Sequence, residues 1–364
     1  MTCDLISMAT PGVSRIQPYQ PGKPMEELER ELGISDIVKL ASNENALGPS
    51  PRVAQALATL PDLCRYPDGN GFALKQALSR VHQVSPEQIT LGNGSNDILD
   101  LVARAFVTDR DQVIFSHHAF AIYKLVTLSV GAEGIETPAL DYGHDLAAML
   151  DAVTDRTRLI YIANPNNPTG TWLHEAQLKE FLDKLPGNIM VLLDQAYYEY
   201  ATGSGYADCI GWLRDYPNLV VTRTFSKAYA LAGLRVGYGV SHPQAADLLN
   251  RVRQPFNVNS VALHAARVAL DDPGHIEASV AFNRRGLEQL LAGLQAMEIG
   301  SIPTRANFIC FDLGRPAREV YERLLRAGVI VRPIEAYGLP NHLRVSIGRA
   351  EENDRFLEAL KQAL

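Results

Sequence analysis

Nowhere in its 364 residues does this sequence reach the roughly 18 consecutive apolar positions that a membrane-spanning helix needs, which excludes a helical membrane protein. Positive charge is also short. Lys and Arg number 34 against 41 Asp and Glu, a formal net charge of −7, so no basic field is available to attract phosphate backbones or anionic lipid, and nucleic acid is excluded as a partner. Cysteine is scarce and scattered at Cys3, Cys64, Cys209 and Cys310, with no C-x-x-C spacing, which fits neither a zinc site nor a disulfide framework. The opening stretch "MTCDLISMATPGVSRIQPYQPGKP" has neither a basic n-region nor a sustained apolar h-region. The expectation is a soluble, unprocessed chain in a reducing cytoplasm.

What the sequence does contain is enough apolar material, 46% of residues, for one large core and a smaller one. After a Pro-rich arm, short apolar runs alternate with helical patterns: "DQVIFS" at 111–116, "LIYIAN" at 159–164, "IMVLLD" at 189–194, "LVVTR" at 219–223 and "VGYGV" at 236–240. Such alternation predicts an α/β domain whose mostly parallel sheet is covered by helices on both faces. From about residue 265 the texture changes to long helical patterns followed by "NFICFDL", "VIVRPI" and "HLRVSIG", the pattern of a smaller α+β domain. The predicted division is an arm and part of the small domain at 1–44, a large domain at 45–264 and a small domain at 265–364. No internal repeat or long linker separates them, so a cleft between packed domains is expected.

In open α/β sheets ligands sit beyond the carboxyl ends of the strands, so the residues that end each strand carry the functional reading. "ANPNNPTG" follows "LIYI"; it is an ordinary turn composition, or a rigid turn that holds the Asn167 amide toward a ligand. Asp194 closes an apolar strand with Tyr197 three residues later; the acid either caps the next turn or faces a cationic ring nitrogen. "LGNGSNDIL" is a glycine-rich turn that opens a helix, where free N–H groups and the helix dipole suit an anion. It is not a dinucleotide fingerprint, because Asp97 stands where the third glycine of G-x-G-x-x-G belongs. "TFSKAYALAGLRVGY" adds Thr224, Ser226, Lys227 and Arg235. His117 and His118, adjacent in "SHHAF", face opposite ways if extended, which argues against a metal pair and leaves one of them lining the pocket; no metal site is expected. An anion cradle, an acid for a ring nitrogen, a Tyr and an Asn for a ring hydroxyl, and a lysine able to form a Schiff base are together the inventory that pyridoxal 5'-phosphate demands.

Through "PYQPGKP", "KLASNEN", "RYPDGNG", "GNGSND", "NPNNPTG", "DQAYYEY", "TFSKAYALAGLRVGY", "ANF" and "LRVSIG" the chain resembles the fold type I pyridoxal-phosphate-dependent aminotransferases over nearly its whole length. The resemblance implies that Lys227 carries the cofactor, that Thr224, Ser226, Arg235 and the backbone at Ser95 and Asn96 hold its phosphate, and that Asp194 pairs with the pyridinium nitrogen. It further implies that Tyr197 and Asn167 contact the ring hydroxyl, that Phe120 stacks on the ring face, and that Arg344 binds a substrate α-carboxylate. Arg332 and Tyr19 are candidates for the distal group of the substrate, against the alternatives of a surface arginine and a packed arm tyrosine. The family's homodimer would bring Tyr66 to the phosphate in the neighbouring subunit, giving shared active sites. The implied reaction is transamination between histidinol phosphate and 2-oxoglutarate, with glutamate as the second amino donor; the alternatives of the same fold are an aromatic amino acid aminotransferase and a phosphothreonine decarboxylase. Three departures from the family pattern are Ala46 in place of a proline, Asn96-Asp97 in place of Asp-Glu, and Phe120 in place of a tyrosine.

Overall fold

The computed structural model describes residues 3–59, 63–203 and 205–364. Its centre is a seven-stranded sheet built from β1 (Ile89–Gly92), β2 (Gln112–Ser116), β3 (Glu133–Thr137), β4 (Thr157–Ala163), β5 (Met190–Asp194), β6 (Leu219–Thr224) and β7 (Gly237–Ser241). The order across the sheet is β1-β7-β6-β5-β4-β2-β3. Every pairing is parallel except those of β7, which runs antiparallel to both of its neighbours. The sheet is therefore α/β and mostly parallel. Strands β4, β5 and β6 are Val-, Ile- and Leu-rich and almost wholly buried because helices cover both faces. One core, with Ile160, Ile162, Val191, Leu193, Leu219 and Val221, fills one face, and a second, with Leu159, Tyr161, Leu192 and Val220, fills the other. The alternation of odd and even residues between the two cores follows from the two-residue side-chain period of a strand.

The second sheet has four strands, β8 (Gly300–Ser301), β9 (Phe308–Asp312), β10 (Arg332–Pro333) and β11 (His342–Ser346), in the order β8-β9-β11-β10 and antiparallel throughout. Helices Arg318–Arg326 and Ala350–Ala363 supply Val320, Leu324, Phe356 and Leu360 to its own core, where they meet Ile309, Phe311, Leu343 and Val345. The run "VIVRPI" divides between two partners. Val329–Ile330 pairs in parallel with Val38–Lys39, while Arg332–Pro333 pairs with β11. The segment before residue 44 is thus tied to the second sheet by backbone hydrogen bonds. The helix Ser260–Leu270 passes through residue 265, where the sequence texture changes, and its Ala262, Ala265, Ala266 and Ala269 bury in the large core.

Two short strands carry no strong apolar pattern. β3, "EGIET", is an edge strand exposed along most of its length, and β1, "ITLG", has four residues. β1 sits beside β7 so that Gly237 opposes Gly92 at the mouth of the sheet. A Cβ on Gly237 would fall 2.4 Å from the Ser95 backbone nitrogen and 2.7 Å from the Gly94 carbonyl carbon, both backbone atoms that cannot step aside. We expect Gly237→Ala to cost about 1–3 kcal/mol by overpacking. Urea unfolding should show a lower midpoint with an unchanged slope; an unchanged midpoint would show that the helix is free to move away.

Candidate active site

The strand ends of β4, β5 and β6, the turn before β7 and the last strand of the small sheet converge on one cleft of about 380 Å³. Its lining includes Ser95, Asn96, Phe120, Asn167, Asp194, Tyr197, Thr224, Ser226, Lys227, Arg235, Arg332, Arg344 and Tyr19, so these candidates meet in space although they span most of the chain.

Ser95 opens the helix Ser95–Phe106, whose N-cap is Gly94 and whose first turn has no side-chain cap. The N–H groups at this end have no intrahelical acceptor, and the helix dipole adds partial positive charge. Gly94 has φ +81°, and a Cβ there would lie 2.6 Å from Arg235 Nη2, so the missing side chain lets the guanidinium reach the helix end. Arg235 itself adopts φ +59°, and its Nη1 donates to the Ala232 carbonyl at 3.0 Å. Thr224 and Ser226 are buried beside it, and the Ser226 N–H donates to Thr224 Oγ1 at 3.1 Å. The result is an anion cradle.

Asp194 ends β5 almost fully buried. The Thr222 hydroxyl donates to Oδ1 at 2.9 Å, and the Tyr123 hydroxyl donates to Oδ2 at 3.1 Å. Burial pushes the carboxyl above its ordinary range; Thr222, Tyr123, the Ala196 N–H and the charge of Lys227 pull it back. The carboxylate therefore meets the N–H of the following turn at Ala196 and also lines the cleft, where it can face a cationic N–H of a ligand. Tyr123, which sequence reasoning missed, lies three positions after Phe120 at the start of Ala121–Ser129 and stacks on Tyr161, with ring centroids 4.6 Å apart. Burial holds its phenol well above the usual range, so it stays a donor.

The turn after β4 bonds to itself. The Asn164 amide donates to the Leu173 carbonyl at 3.2 Å and accepts from the Leu173 N–H at 2.9 Å; the Asn166 amide donates to the His118 carbonyl at 2.9 Å and to Thr169 Oγ1 at 2.8 Å. Asn167 is left facing the cleft, where its Oδ1 accepts from Arg344 Nη1 at 2.5 Å. Both turn formation and side-chain presentation are therefore present, on different asparagines.

Arg344 is buried on β11, its Nη2 donating to the Ala41 carbonyl at 2.7 Å while its Nε has no partner. An orphaned guanidinium N–H on a cleft wall suits a carboxylate ligand. Lys227 Nζ donates to the Ser42 carbonyl at 3.2 Å. Its amine is pushed down to about 8 by burial, with Arg344 and Arg235 adding to the shift and Glu44 and Asp194 opposing it. Tyr197 accepts at its hydroxyl from the Asn43 amide at 2.9 Å, and burial raises its phenol to about 12. Arg332 Nη2 donates to the Gln20 carbonyl at 2.5 Å and the guanidinium lies 5.6 Å from the Tyr19 ring, so the arm carrying Tyr19, Pro21 and Gly22 is drawn over the cleft.

One expectation meets a different arrangement. Neither His117 nor His118 lines the cleft: the His117 ring contacts Glu136 Oε1 on the neighbouring strand β3 at 2.5 Å, and His118 Nδ1 lies 2.6 Å from the Tyr337 carbonyl. Asp97 faces away, accepting from Asn93 N–H at 2.9 Å and the Asn257 amide at 2.6 Å. Tyr66 lies outside the cleft of its own chain, 82% exposed and stacked on Phe256 with centroids 4.6 Å apart. Among the described residues no group of His, Cys, Asp and Glu is placed to hold a metal ion, and no helix is long and apolar enough to cross a membrane.

The donor set fits a planar phosphorylated pyridine: a glycine-lined anion cradle at one end, a buried carboxylate for a ring N–H, and a lysine and a phenol between them. Residues 35–360 match the family model for aminotransferase class I and II. A histidinol-phosphate aminotransferase from Pseudomonas fluorescens is 56% identical over 100% of this chain and 99% of its own length. One from Idiomarina loihiensis is 54% identical over 98% of both chains. The crystal structure of histidinol-phosphate aminotransferase from Sinorhizobium meliloti in complex with pyridoxal-5'-phosphate superposes with a TM-score of 0.91 at 29% identity, covering 98% of this chain and 97% of that one.

The Lys227 amine sets a pH dependence that can be measured without any ligand. Its value is about 8 in the folded protein and 10.5 ordinarily, so between these limits the unfolded chain binds the extra proton and stability rises with pH. Lys227→Met, uncharged throughout, is expected to be the more stable protein below pH 8 when both are cofactor-free. The difference should shrink toward pH 10.5. Urea unfolding of the two proteins side by side checks this, and a pH-independent difference would contradict the shift.

Proposed function

Because the chain belongs to the class I and II aminotransferases, we propose that it moves an amino group reversibly between histidinol phosphate and 2-oxoglutarate in histidine biosynthesis. The observation that carries the reading is the convergence of Lys227, Asp194 and the anion cradle in one cleft, in a chain more than half identical over its full length to relatives named for that reaction. In this reading pyridoxal 5'-phosphate is the cofactor, held by the backbone N–H groups of Ser95 and Asn96 with Thr224, Ser226 and Arg235 at its phosphate. Phe120 covers one ring face, Asn167 and Tyr197 meet the ring hydroxyl, and Asp194 faces the ring nitrogen. When bound, the cofactor supplies an electron-withdrawing ring that stabilises negative charge on the substrate carbon.

The protein's own groups do the remaining work. Asp194 keeps a proton on the ring nitrogen, because a buried carboxylate with its two oxygens already fixed by Thr222 and Tyr123 gains most from a cationic neighbour. Lys227 Nζ removes the proton from the substrate Cα. An amine lowered to about 8 is a usable base near neutral pH, and assistance of this kind is worth roughly 10²- to 10⁴-fold. Arg344 binds the α-carboxylate of glutamate, which histidinol phosphate lacks, while Arg332 and Tyr19 bind the distal group of either donor. The arm over the cleft excludes water.

Tyr66 belongs to this scheme through a second copy. Its exposed ring stacks on exposed Phe256, an aromatic pair open to solvent that suits a homodimer in which Tyr66 reaches the partner's cofactor phosphate. The cysteines form no disulfide among the described residues, which suits a reducing cytoplasm.

Purified protein given 2-oxoglutarate and, in turn, histidinol phosphate, phenylalanine and phosphothreonine should turn over histidinol phosphate with the highest kcat/KM. A preference for phenylalanine, or release of carbon dioxide from phosphothreonine, would assign one of the other activities of this fold. Lys227→Ala should lose transamination while keeping the parent circular dichroism. Mixing Lys227→Ala with an impaired Tyr66→Phe under subunit exchange should recover activity, since each mixed dimer holds one site with both groups intact. No recovery despite demonstrated exchange would remove Tyr66 from the partner's site.

A further inference from the structure

Asn43 is 1% exposed, has φ +55°, and lies on the cleft wall. Its hydrogen bonds form a chain whose direction is fixed at one end by a backbone group. The Asn43 N–H can only donate, and it donates to Ser346 Oγ at 2.8 Å. Among the described residues the buried Ser346 hydroxyl has no other acceptor, so it donates to Asn43 Oδ1 at 3.2 Å. That settles which end of the amide is oxygen, leaving Nδ2 to donate to Tyr197 Oη at 2.9 Å. Among the described residues, Tyr197 Oη donates to no protein atom. The phenol, fixed as an acceptor from Asn43, has its own proton left to aim into the cleft.

The surroundings keep the chain from relaxing. The Asn43 carbonyl accepts from the Asn307 amide at 3.0 Å, and the Ser346 N–H donates to the Leu40 carbonyl at 2.8 Å. Both neighbours belong to the small-sheet body, so the segment is held from the side opposite Tyr197. Asparagine is among the few residues that adopt the left-handed backbone readily, and it offers a donor and an acceptor on one short arm.

We propose that Asn43 is a positioning residue which, through the one-way chain from its own N–H by way of Ser346, compels Tyr197 to donate its phenolic proton to the oxygen of the cofactor ring. The proposal rests on the reading of this cleft as a pyridoxal-phosphate site. Donation to the ring oxygen favours its anionic form and so lowers the proton affinity of the Lys227–cofactor linkage. An undirected phenol would spend part of its time donating elsewhere.

The test is a pH titration of the visible absorbance of the cofactor-loaded protein, made with Asn43→Gly in the parent and in the Tyr197→Phe backgrounds. Glycine accepts φ +55° without strain, so the backbone is preserved while the amide is removed. With Tyr197 present, the midpoint should rise by about half a pH unit, roughly a threefold gain in proton affinity, the scale of one neutral hydrogen bond. In the Tyr197→Phe background, Asn43→Gly should leave the midpoint unchanged. A shift in both backgrounds, or in neither, overturns the proposal, since Asn43 would then act on the site independently of Tyr197 or only through stability. If Asn43→Gly does not fold, Ser346→Ala read in the same two backgrounds decides by the same outcomes. A parent protein with no titrating visible band would refute the cofactor reading itself, which keeps the two failures apart.

Discussion

A carboxylate placed where water cannot reach it is the constraint around which the rest of the molecule is arranged. Asp194 stands at the end of a central strand, beneath two apolar cores, and burying an acid there is unfavourable unless hydrogen bonds and opposite charge surround it. Thr222 and Tyr123 meet one oxygen each, and the net positive character of the cleft, from Lys227, Arg235 and Arg344, supplies the rest. The same burial and positive character lower the lysine amine to about 8. Acid and base are therefore tuned by one another and by a common lack of solvent.

The segment from Leu40 to Asn45 joins the two bodies at that point. The Ala41 carbonyl accepts from Arg344, the Ser42 carbonyl from Lys227, and the Asn43 side chain donates to Tyr197, so consecutive residues touch the groups assigned to the substrate carboxylate, the reacting amine and the ring hydroxyl. Asn45 continues the series by donating to the Ala228 carbonyl and to Ser279 Oγ, each at 3.0 Å. Backbone pairing of Val38–Lys39 with Val329–Ile330 sets its register.

Much of this was legible before any coordinates. Buried parallel strands announce themselves as Val, Ile and Leu runs, and the residue that ends each run is placed at the ligand edge by topology alone, which is why Asn167, Asp194, Thr224 and Lys227 could be read from sequence. β3 was not legible, because an exposed edge strand of sequence "EGIET" has no buried face to pattern. Asn43 and Tyr123 were missed for a different reason. Each acts on another side chain across a large sequence separation, and neither polar residue sits at the end of an apolar run. The histidine pair misled because its place beside Phe120 after β2 is near the ligand edge, whereas His117 is spent on Glu136 of the edge strand β3 and His118 on the Tyr337 carbonyl.

The separation between Asn43 and Ser346 has a consequence for how the protein comes into being. The two are 303 positions apart, and the Tyr197 contact spans another 154. On a ribosome the large sheet can be complete while Arg344 and Ser346 are still unmade, so a nascent chain carries Asn167 and the Asn43–Tyr197 pair without the partners that orient them. Competence arrives late, at the closing of one long loop, and a cofactor that binds only the finished cleft would then hold that loop shut by mass action.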